Sequence, residues 1–169
     1  MKDHTLKPFS FRLRHAWLAA LVCAPLWAGA APLEAGTAWP PLTLKDQHDQ
    51  PVMIDATTRL VIFTAEKAVS DVVTGVLGTQ GKTTLAQAHA VLVTDISAMP
   101  AMISRMFAVP KLRELPFPMA LAREANTVAD LPRRKGSATV LTLDNGQVTQ
   151  VQYLQTDAQL RQALVATAP

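Results

Sequence analysis

The stretch LVIFTAEKAVSD, residues 60–71, decides the fold class of this chain. Its first four residues form a continuous apolar run of β-branched and aromatic side chains, which is typical of a strand buried on both faces of a sheet. Ser70 and Asp71 can cap a helix, and the apolar residues after them recur with helical spacing. The stretch therefore predicts a central strand that leads into a helix.

The sequence on both sides continues the alternation of strands and helices. Before the central strand, residues 39–44 and 51–54 alternate apolar and polar side chains, which predicts a hairpin. After it we expect a buried strand at 90–94, a helix that Pro110 ends, and a short strand at 119–122. Asn145-Gly146 predicts a second hairpin, and Thr156 with Gln159 forms a capping box for a last helix. This order predicts an α/β fold with a mixed sheet.

Several short motifs fit one known topology, and they are Leu42-Thr43-Leu44 with Asp46, Gln50-Pro51-Val52, the strand ending at Phe63, Phe117-Pro118 before a strand, and Gly136-Ser137-Ala138-Thr139. In these features the chain resembles the thioredoxin-like superfamily, and most closely its extracytoplasmic thioredoxin-like reductases and the peroxiredoxins. The resemblance extends over residues 38 to 166. It implies a thioredoxin-like mixed central sheet with helices on both faces.

The resemblance also implies where the family's chemistry would lie. Its redox cysteines follow the first central strand at a helix N-terminus, where the helix dipole favours a thiolate. Counting from Phe63 puts Ala68 and Asp71 at those two positions. Ala138 stands where the family has a cis-proline, and we expect a trans peptide there because a non-proline cis bond costs about 2.5–4 kcal/mol. These degenerate active-site positions exclude thiol–disulfide exchange and cysteine peroxidase activity.

Residues 1–30 have the pattern of a cleaved secretory signal peptide. A basic, polar start precedes a short apolar run at 16–26, and Ala28-Gly29-Ala30 offers a small-x-small cleavage site. The run is shorter than the roughly 20 apolar residues that a membrane span needs. We therefore expect a periplasmic or secreted protein with no stable membrane anchor. Cys23, the only cysteine, would leave with the leader, since bulky Val22 disfavours the alternative that Cys23 is lipidated.

The remaining chain divides into a short linker at 31–37 and one domain at 38–169. The whole chain has a formal charge of +3, but four of its basic residues lie in the leader, and without it the chain is formally neutral. A nucleic-acid partner is therefore not expected. The leader residues concerned are Lys2, Lys7, Arg12 and Arg14.

Arg133, Arg134 and Lys135 form the densest charge cluster outside the leader. Such trios are usually solvated loops. In the resembled fold, however, this loop borders the former active-site face, and Lys67 lies near the same place. The helix that opens near Ala68 would also direct unpaired N–H groups there. These features suggest that the cluster binds an anion or an acidic peptide.

Three other motifs have simpler interpretations. Residues 78–83 look like a phosphate-binding loop, but Val76 stands where its first glycine is required, so a surface turn is favoured. His48 lies in an Asx-rich turn, where hydrogen bonding explains the sequence better than metal ligation. His89 is expected to be an ordinary histidine at a helix end. None of these motifs predicts a cofactor.

Met99, Met102 and Met106 share one face of a predicted helix, and thioethers are good ligands for Cu(I). Ile103 and Phe107 lie on the same face, however, and methionine commonly fills irregular cores. We therefore interpret the methionines as core residues, with copper binding as the less favoured alternative.

The leading hypothesis is an exported, redox-inactive thioredoxin-like domain that binds another exported protein or a peptide. One alternative is an enzyme with cysteine-independent chemistry that uses Glu66, Lys67 or Asp71 on the same face. Another is a methionine-based copper-binding protein. Fold alone does not decide among them, because function depends on the site.

Overall fold

The computed structural model describes residues 31–167. The predicted signal peptide, with Cys23, lies outside the described residues. No helix within residues 31–167 is both long and apolar enough to cross a membrane.

The chain alternates strands and helices in the predicted order. The strands are β1 (Leu42–Lys45), β2 (Pro51–Ile54), β3 (Leu60–Thr64), β4 (Ala90–Asp95), β5 (Ala120–Ala122), β6 (Ala138–Asp144) and β7 (Gln147–Leu154). The α-helices are α1 (Lys67–Leu77), α2 (Gly81–Gln87), α3 (Ala101–Ile103), α4 (Val109–Leu112) and α5 (Asp157–Thr167). A π-helical segment, Ser104–Ala108, joins α3 to α4, and we call this continuous stretch the π-bulged helix. Short 3₁₀ helices lie at Gly78–Gln80 and Ala125–Val128.

The strands form one seven-stranded mixed sheet in the order β2-β1-β5-β4-β3-β6-β7. Strand β3 pairs parallel to β4 and antiparallel to β6, and β4 pairs parallel to β5. All five residues of β3 are buried, as expected for the predicted central strand. Asn145 and Gly146 have φ values of 47° and 77°, which confirms the predicted Asn-Gly hairpin turn between β6 and β7.

The sheet buries a hydrophobic core on each face. Helices α1, α2, α4 and α5 all pack on the first core, through residues such as Val73, Leu85, Val109 and Leu160. The second core is covered by the 3₁₀ helix at Ala125–Val128 and by the N-terminal segment, not by an α-helix of the described chain. Helices thus lie on both faces of the sheet, with α-helices covering the first core and a short 3₁₀ helix covering part of the second.

Residues 31–37, predicted as a linker, are part of the folded domain. Leu33 is buried in the second core, and its N–H donates to the Asp130 carbonyl at 2.8 Å. The N–H of Gly36 donates to the Val148 carbonyl at 2.7 Å. This segment lacks the alternating pattern of a strand, which is why the sequence suggested a linker.

Two helix boundaries differ from those predicted. Helix α1 begins at Lys67 rather than at Ser70, which is buried inside the helix. Pro110 does not end the helix that precedes it but lies at the second residue of α4. Proline has no N–H to donate and crowds the preceding turn of a regular helix, and the wider π-helical turn at Ser104–Ala108 lies just before Pro110, where it accommodates the proline.

Candidate functional site

The site is built around Glu66, the N-cap residue of α1. Strand β3 ends at Thr64, and the chain needs only Ala65 and Glu66 to reach the helix. The Glu66 side chain makes no capping bond to its own helix. Its Oε1 instead accepts a hydrogen bond from the N–H of Gly136, at 2.8 Å. The start of α1 is thereby fixed to the loop that precedes β6.

That loop is held by local hydrogen bonds. The N–H of Ser137 donates to the Arg134 carbonyl at 3.1 Å, and Gly136 between them has a φ of 70°, which favours glycine. The buried Thr139 hydroxyl donates to the Pro132 carbonyl at 2.7 Å. No cis peptide bond occurs within residues 31–167, so the peptide before Ala138 is trans, as predicted.

The structure brings two of the three degenerate active-site positions together. Ala68 is exposed at the second residue of α1, and Ala138 is buried at the start of β6. Both line a cleft of about 180 Å³, which we call the small cleft. Asp71 does not line it but forms an exposed ion pair with Lys67, and this pair lines a second, larger cleft. Neither side chain of this exposed pair has the burial that commonly activates a catalytic acid or base.

A larger cleft of about 470 Å³ opens on the other side of Glu66, between α1 and the π-bulged helix. It lies beyond the carboxyl ends of β3 and β4, where open α/β sheets usually bind ligands. We call it the apolar cleft, since its walls include Ala65, Ala98, Met99, Ala108, Leu112 and Leu115. Its polar lining residues are Thr94 and Asp95 at the end of β4, Lys111 of the π-bulged helix, and, at the start of α1 and along it, Glu66, Lys67, Ser70, Asp71 and Thr74.

The polar groups at those strand ends are paired. The Thr64 and Thr94 hydroxyls, side by side on β3 and β4, are 3.0 Å apart and buried. Asp95 accepts a hydrogen bond from the Ser97 N–H through one carboxylate oxygen, at 2.9 Å. Its other oxygen lies 2.7 Å from Arg133 Nη1. Thr94 and Asp95 were missed in the sequence, although a polar pair directly after a buried strand is the signal that could have found them.

The predicted basic cluster does not act as one group. Arg133 pairs with Asp95, donates to the Val128 carbonyl at 3.0 Å, and lies over the Phe63 ring. The Arg134 guanidinium stacks on the Tyr153 ring, with its carbon 4.3 Å from the ring centre. Lys135 forms no ion pair within residues 31–167. Arg133 is therefore structural, while Arg134 and Lys135 keep uncompensated charge.

The methionines were predicted to be core residues, and for Met102 and Met106 this prediction is wrong. Met102 and Met106 are 72% and 61% exposed, and Ile103 and Phe107 beside them are exposed as well. Met99 lies before α3 and lines the apolar cleft. Helical spacing correctly indicated a shared apolar face, but that face of the π-bulged helix is directed to solvent.

The remaining sequence candidates take the simpler interpretations. Asp46 Oδ1 accepts hydrogen bonds from the N–H groups of His48 and Gln50, which makes this segment an Asx turn. His89 is exposed at the end of α2, with a φ of 46°. Residues 78–83, predicted as a surface turn, form the 3₁₀ helix and the first three residues of α2, and they follow a helix rather than the strand that a phosphate-binding loop requires.

Comparison with known proteins supports the fold. No protein-family model matches the sequence, and no curated protein sequence matches it either. The structure is similar to that of the peroxidoxin BcpB from Mycobacterium tuberculosis, with a TM-score of 0.52 and 15% identity over 80% of this chain and 96% of that one. It is also similar to a thio-disulfide isomerase from Thermus thermophilus, with a TM-score of 0.50 and 17% identity over 81% and 99% of the two chains.

A third similar structure is the thioredoxin domain of a thiol-disulfide oxidoreductase from Bacteroides vulgatus, with a TM-score of 0.50 and 11% identity over 80% and 99% of the two chains. Similarity at these identities concerns the fold and not the activity. The chain has a single cysteine, at position 23, so residues 31–167 contain none. Residues 31–167 have a thioredoxin-like α/β fold and carry no thiol.

Proposed function

We propose that this protein is an exported, redox-inactive thioredoxin-like module that binds a segment of another exported protein in the clefts beside Glu66. The carrying observation is that the start of α1 lines two clefts and that residues 31–167 contain no cysteine. The site therefore keeps a concave surface without the family's chemistry. Concave, mostly apolar sites with a few polar groups are typical of ligand binding.

The apolar cleft supports an apolar anchor in the bound segment. Its volume of about 470 Å³ exceeds that of any single side chain, and alanine, leucine, isoleucine and methionine form the apolar part of its walls. A leucine or phenylalanine inserted there would lose most of its contact with water. Fully burying such a side chain is worth about 1.5–3 kcal/mol.

The charges around the clefts support acidic residues on either side of that anchor. Two ion pairs, Lys67 with Asp71 and Arg133 with Asp95, are internally neutral. The other charges at the cleft walls and in the adjoining loop are Lys111, Arg134 and Lys135, opposed by the carboxylate of Glu66. The net charge of these four side chains is positive, which favours an acidic partner and makes its binding sensitive to salt.

Export is supported by the leader pattern, with cleavage predicted after Ala30. A chain cut there has no cysteine, which suits a compartment that oxidises thiols. The intact mass of the protein recovered from the exported fraction tests this part, since a mass that includes Cys23 would contradict it.

An NMR titration tests the binding site. The probe is an acidic peptide with one central leucine, and the matched control peptide has serine in place of the leucine. We expect shifts at residues 65–71, 94–99 and 108–115, weaker binding of the serine peptide, and weaker binding at higher salt.

Substitutions in the protein test how much the apolar cleft and the basic loop each contribute to peptide binding. Ala98→Glu puts a carboxylate at the wall of the apolar cleft and should abolish binding, while Ala129→Glu, at an exposed alanine that does not line either cleft, should not. Arg134→Gln with Lys135→Gln should weaken binding, and Lys82→Gln with Arg161→Gln, at two exposed positions that line neither cleft, is the charge-matched control. Shifts that scatter over the surface, or that survive Ala98→Glu, would reject the proposal.

The exposure of Met102 and Met106 favours copper binding as a second candidate function. Two exposed thioethers four residues apart on a helix are close enough for both to approach one Cu(I) ion. The test is a competition titration with a Cu(I) chelator, comparing the natural protein with the Met102→Leu/Met106→Leu variant. A sub-micromolar affinity that the variant loses supports this function, and equal, weak affinities reject it.

A further inference from the structure

A third cavity lies between the π-bulged helix, the β1–β2 turn and the residues that follow β5. Its volume is about 570 Å³, inside the range of roughly 300–1,000 Å³ that is typical of small-molecule sites. Three arginines line it, namely Arg105 of the π-helical segment, Arg113 directly after α4 and Arg123 directly after β5. We call it the arginine cavity. None of these arginines lines the small cleft or the apolar cleft, so the cavity is a separate candidate site.

Two of the arginines already hold a carboxylate of the chain itself. Asp49 lies in the β1–β2 turn, where its Oδ1 is 3.0 Å from Nη2 of Arg123 and its Oδ2 is 3.4 Å from Nη2 of Arg113. Arg113 is also positioned independently of Asp49, because its Nε donates to the Gln47 carbonyl at 2.7 Å. The Gln47 side chain is buried and bonded to backbone groups on the N-terminal side of β5. The positions of Arg113 and Arg123 therefore suit a carboxylate.

The third arginine has no such partner. Arg105 is exposed and forms no ion pair with any residue of the described chain. It belongs to a π-helical segment, a feature that is frequent at functional sites. The acidic residues at the cavity walls are Asp49 and Glu124, so three positive and two negative side chains leave a net charge of +1. The cavity therefore favours an anion over a neutral or cationic ligand.

The walls of the arginine cavity are not only charged. Ile96, Met99 and Val109 also line it, and Ile96 and Val109 are buried members of the first core. Ser104 is 7% exposed and adds a polar but uncharged residue to the same walls. A ligand that combines an anionic group with a short apolar body therefore matches both parts of the cavity.

We propose that the arginine cavity binds a small organic carboxylate, with the carboxylate among the three arginines and the apolar body against Ile96, Met99 and Val109. A guanidinium donates two parallel N–H groups to a carboxylate, which makes arginine the residue best suited to this contact. A monoanion neutralises the net charge of the walls. Asp49 holds two of the arginines when no ligand is bound, so it competes with the ligand for them.

Calorimetric and NMR titrations of the protein with phenylacetate test the proposal. The matched control ligand is phenethyl alcohol, which keeps the ring and carries no charge. We expect phenylacetate to shift resonances within residues 96–105, 113 and 123–124, and to bind more weakly as salt rises. The alcohol should bind at least about tenfold more weakly.

Two substitutions should change the phenylacetate affinity in opposite directions. Arg105→Gln removes the unpaired cation and should weaken binding at least about tenfold, while Arg161→Gln, at an exposed position outside the cavity, should leave it unchanged. Asp49→Asn removes the competing carboxylate and should tighten binding at least about threefold. The turn should survive this change, because Asp49 has a φ of 63° and asparagine readily adopts that conformation.

Four results would each overturn the proposal. They are a natural protein that does not bind millimolar phenylacetate, equal binding of the alcohol, an affinity that Arg105→Gln leaves unchanged, and an affinity that Asp49→Asn lowers. The last result would show that Asp49 belongs to the binding site rather than competing for it. A loss of affinity in Arg161→Gln as large as that in Arg105→Gln would also reject the site, since binding would then depend only on overall charge.

Discussion

The carboxylate of Glu66 accepts a hydrogen bond at 2.8 Å from the N–H of Gly136, a residue 70 positions further along the chain. This bond joins the beginning of α1 to the loop before β6, and Glu66 lines both the small cleft and the apolar cleft. The sequence resemblance predicts that the family's thiol and cis-proline belong to these same two segments. The protein thus joins them through a carboxylate and a backbone N–H.

Removing that carboxylate should loosen the loop without unfolding the domain. We expect Glu66→Ala to lower the free energy of unfolding by about 0.5–1.5 kcal/mol, because the bond is exposed to water. Glu66→Gln keeps an acceptor oxygen and should cost less. Urea unfolding measures both, and the Gly136 amide resonance should move in the alanine variant. An unchanged Gly136 resonance would contradict the bond.

Replacing Arg133 should destabilise the protein more than replacing its neighbour. The Asp95 side chain is only 6% exposed, so Arg133→Gln leaves a largely buried carboxylate without its cation. We expect a cost of about 1–3 kcal/mol. Arg134→Gln removes a stacked but exposed side chain and should cost less than about 0.5 kcal/mol.

A double-mutant cycle checks the Arg133 interpretation. Asp95→Asn removes the buried charge, so adding it to Arg133→Gln should recover part of the lost free energy of unfolding. Strictly additive effects of the two changes would show that Arg133 and Asp95 do not interact.

Two glycines should respond oppositely to alanine. A Cβ on Gly81 would lie 2.3 Å from Cδ1 of Phe117, whose ring is buried in the first core. Gly81→Ala should therefore destabilise the protein by about 1–3 kcal/mol through overpacking. A Cβ on Gly75, inside α1, meets nothing within 4 Å. Gly75→Ala should stabilise the helix by about 0.5–1 kcal/mol. Thermal unfolding compares the two, and equal effects would contradict the packing argument.

The buried amide of Gln47 should be the most sensitive polar group in the β1–β2 turn. Its Nε2 donates to the Phe117 carbonyl at 2.8 Å, and its Oε1 accepts from the Met119 N–H at 2.9 Å. Gln47→Leu leaves both backbone groups unpaired and should cost about 2–4 kcal/mol. Gln50→Leu, at an exposed glutamine of the same turn, should stay within about 0.5 kcal/mol. Urea unfolding at one pH decides between them.

Local sequence signals predicted most of the sheet but less of the site. The Asn145-Gly146 turn and the capping box were predictable because each depends on residues close in sequence, and Thr156 and Gln159 do exchange both capping hydrogen bonds. The start of α1 was not predictable, because Glu66 occupies the N-cap position without a side-chain capping bond. Ser70 and Asp71, by contrast, are residue types that commonly cap helices, although both lie inside this helix. The bond from Gly136 to Glu66 depends on tertiary contact, which no local pattern encodes.

Periodicity also has a limit that the methionines illustrate. Spacing places Met102 and Met106 on one face of a helix, but it does not say whether that face meets the sheet or the solvent. The position of the π-bulged helix decides this, and it is set by Val109 and Leu112 packing against the first core. The prediction of an apolar helix face was therefore correct, but the prediction that this face is buried in the core was wrong.

The N-terminal segment links the beginning of the domain to its end, and this sets the order in which the chain can fold. Leu33 is tied to Asp130, Gly36 and Thr37 to Val148, and Trp39 to Gly146. The second core therefore cannot close until the last third of the chain has been synthesised. Folding through such distant contacts is slow, because the chain loses the entropy of closing a long loop before the contact contributes its favourable energy. A nascent chain of this topology therefore cannot bury its second core around the N-terminal segment until residues 130–148 have been synthesised.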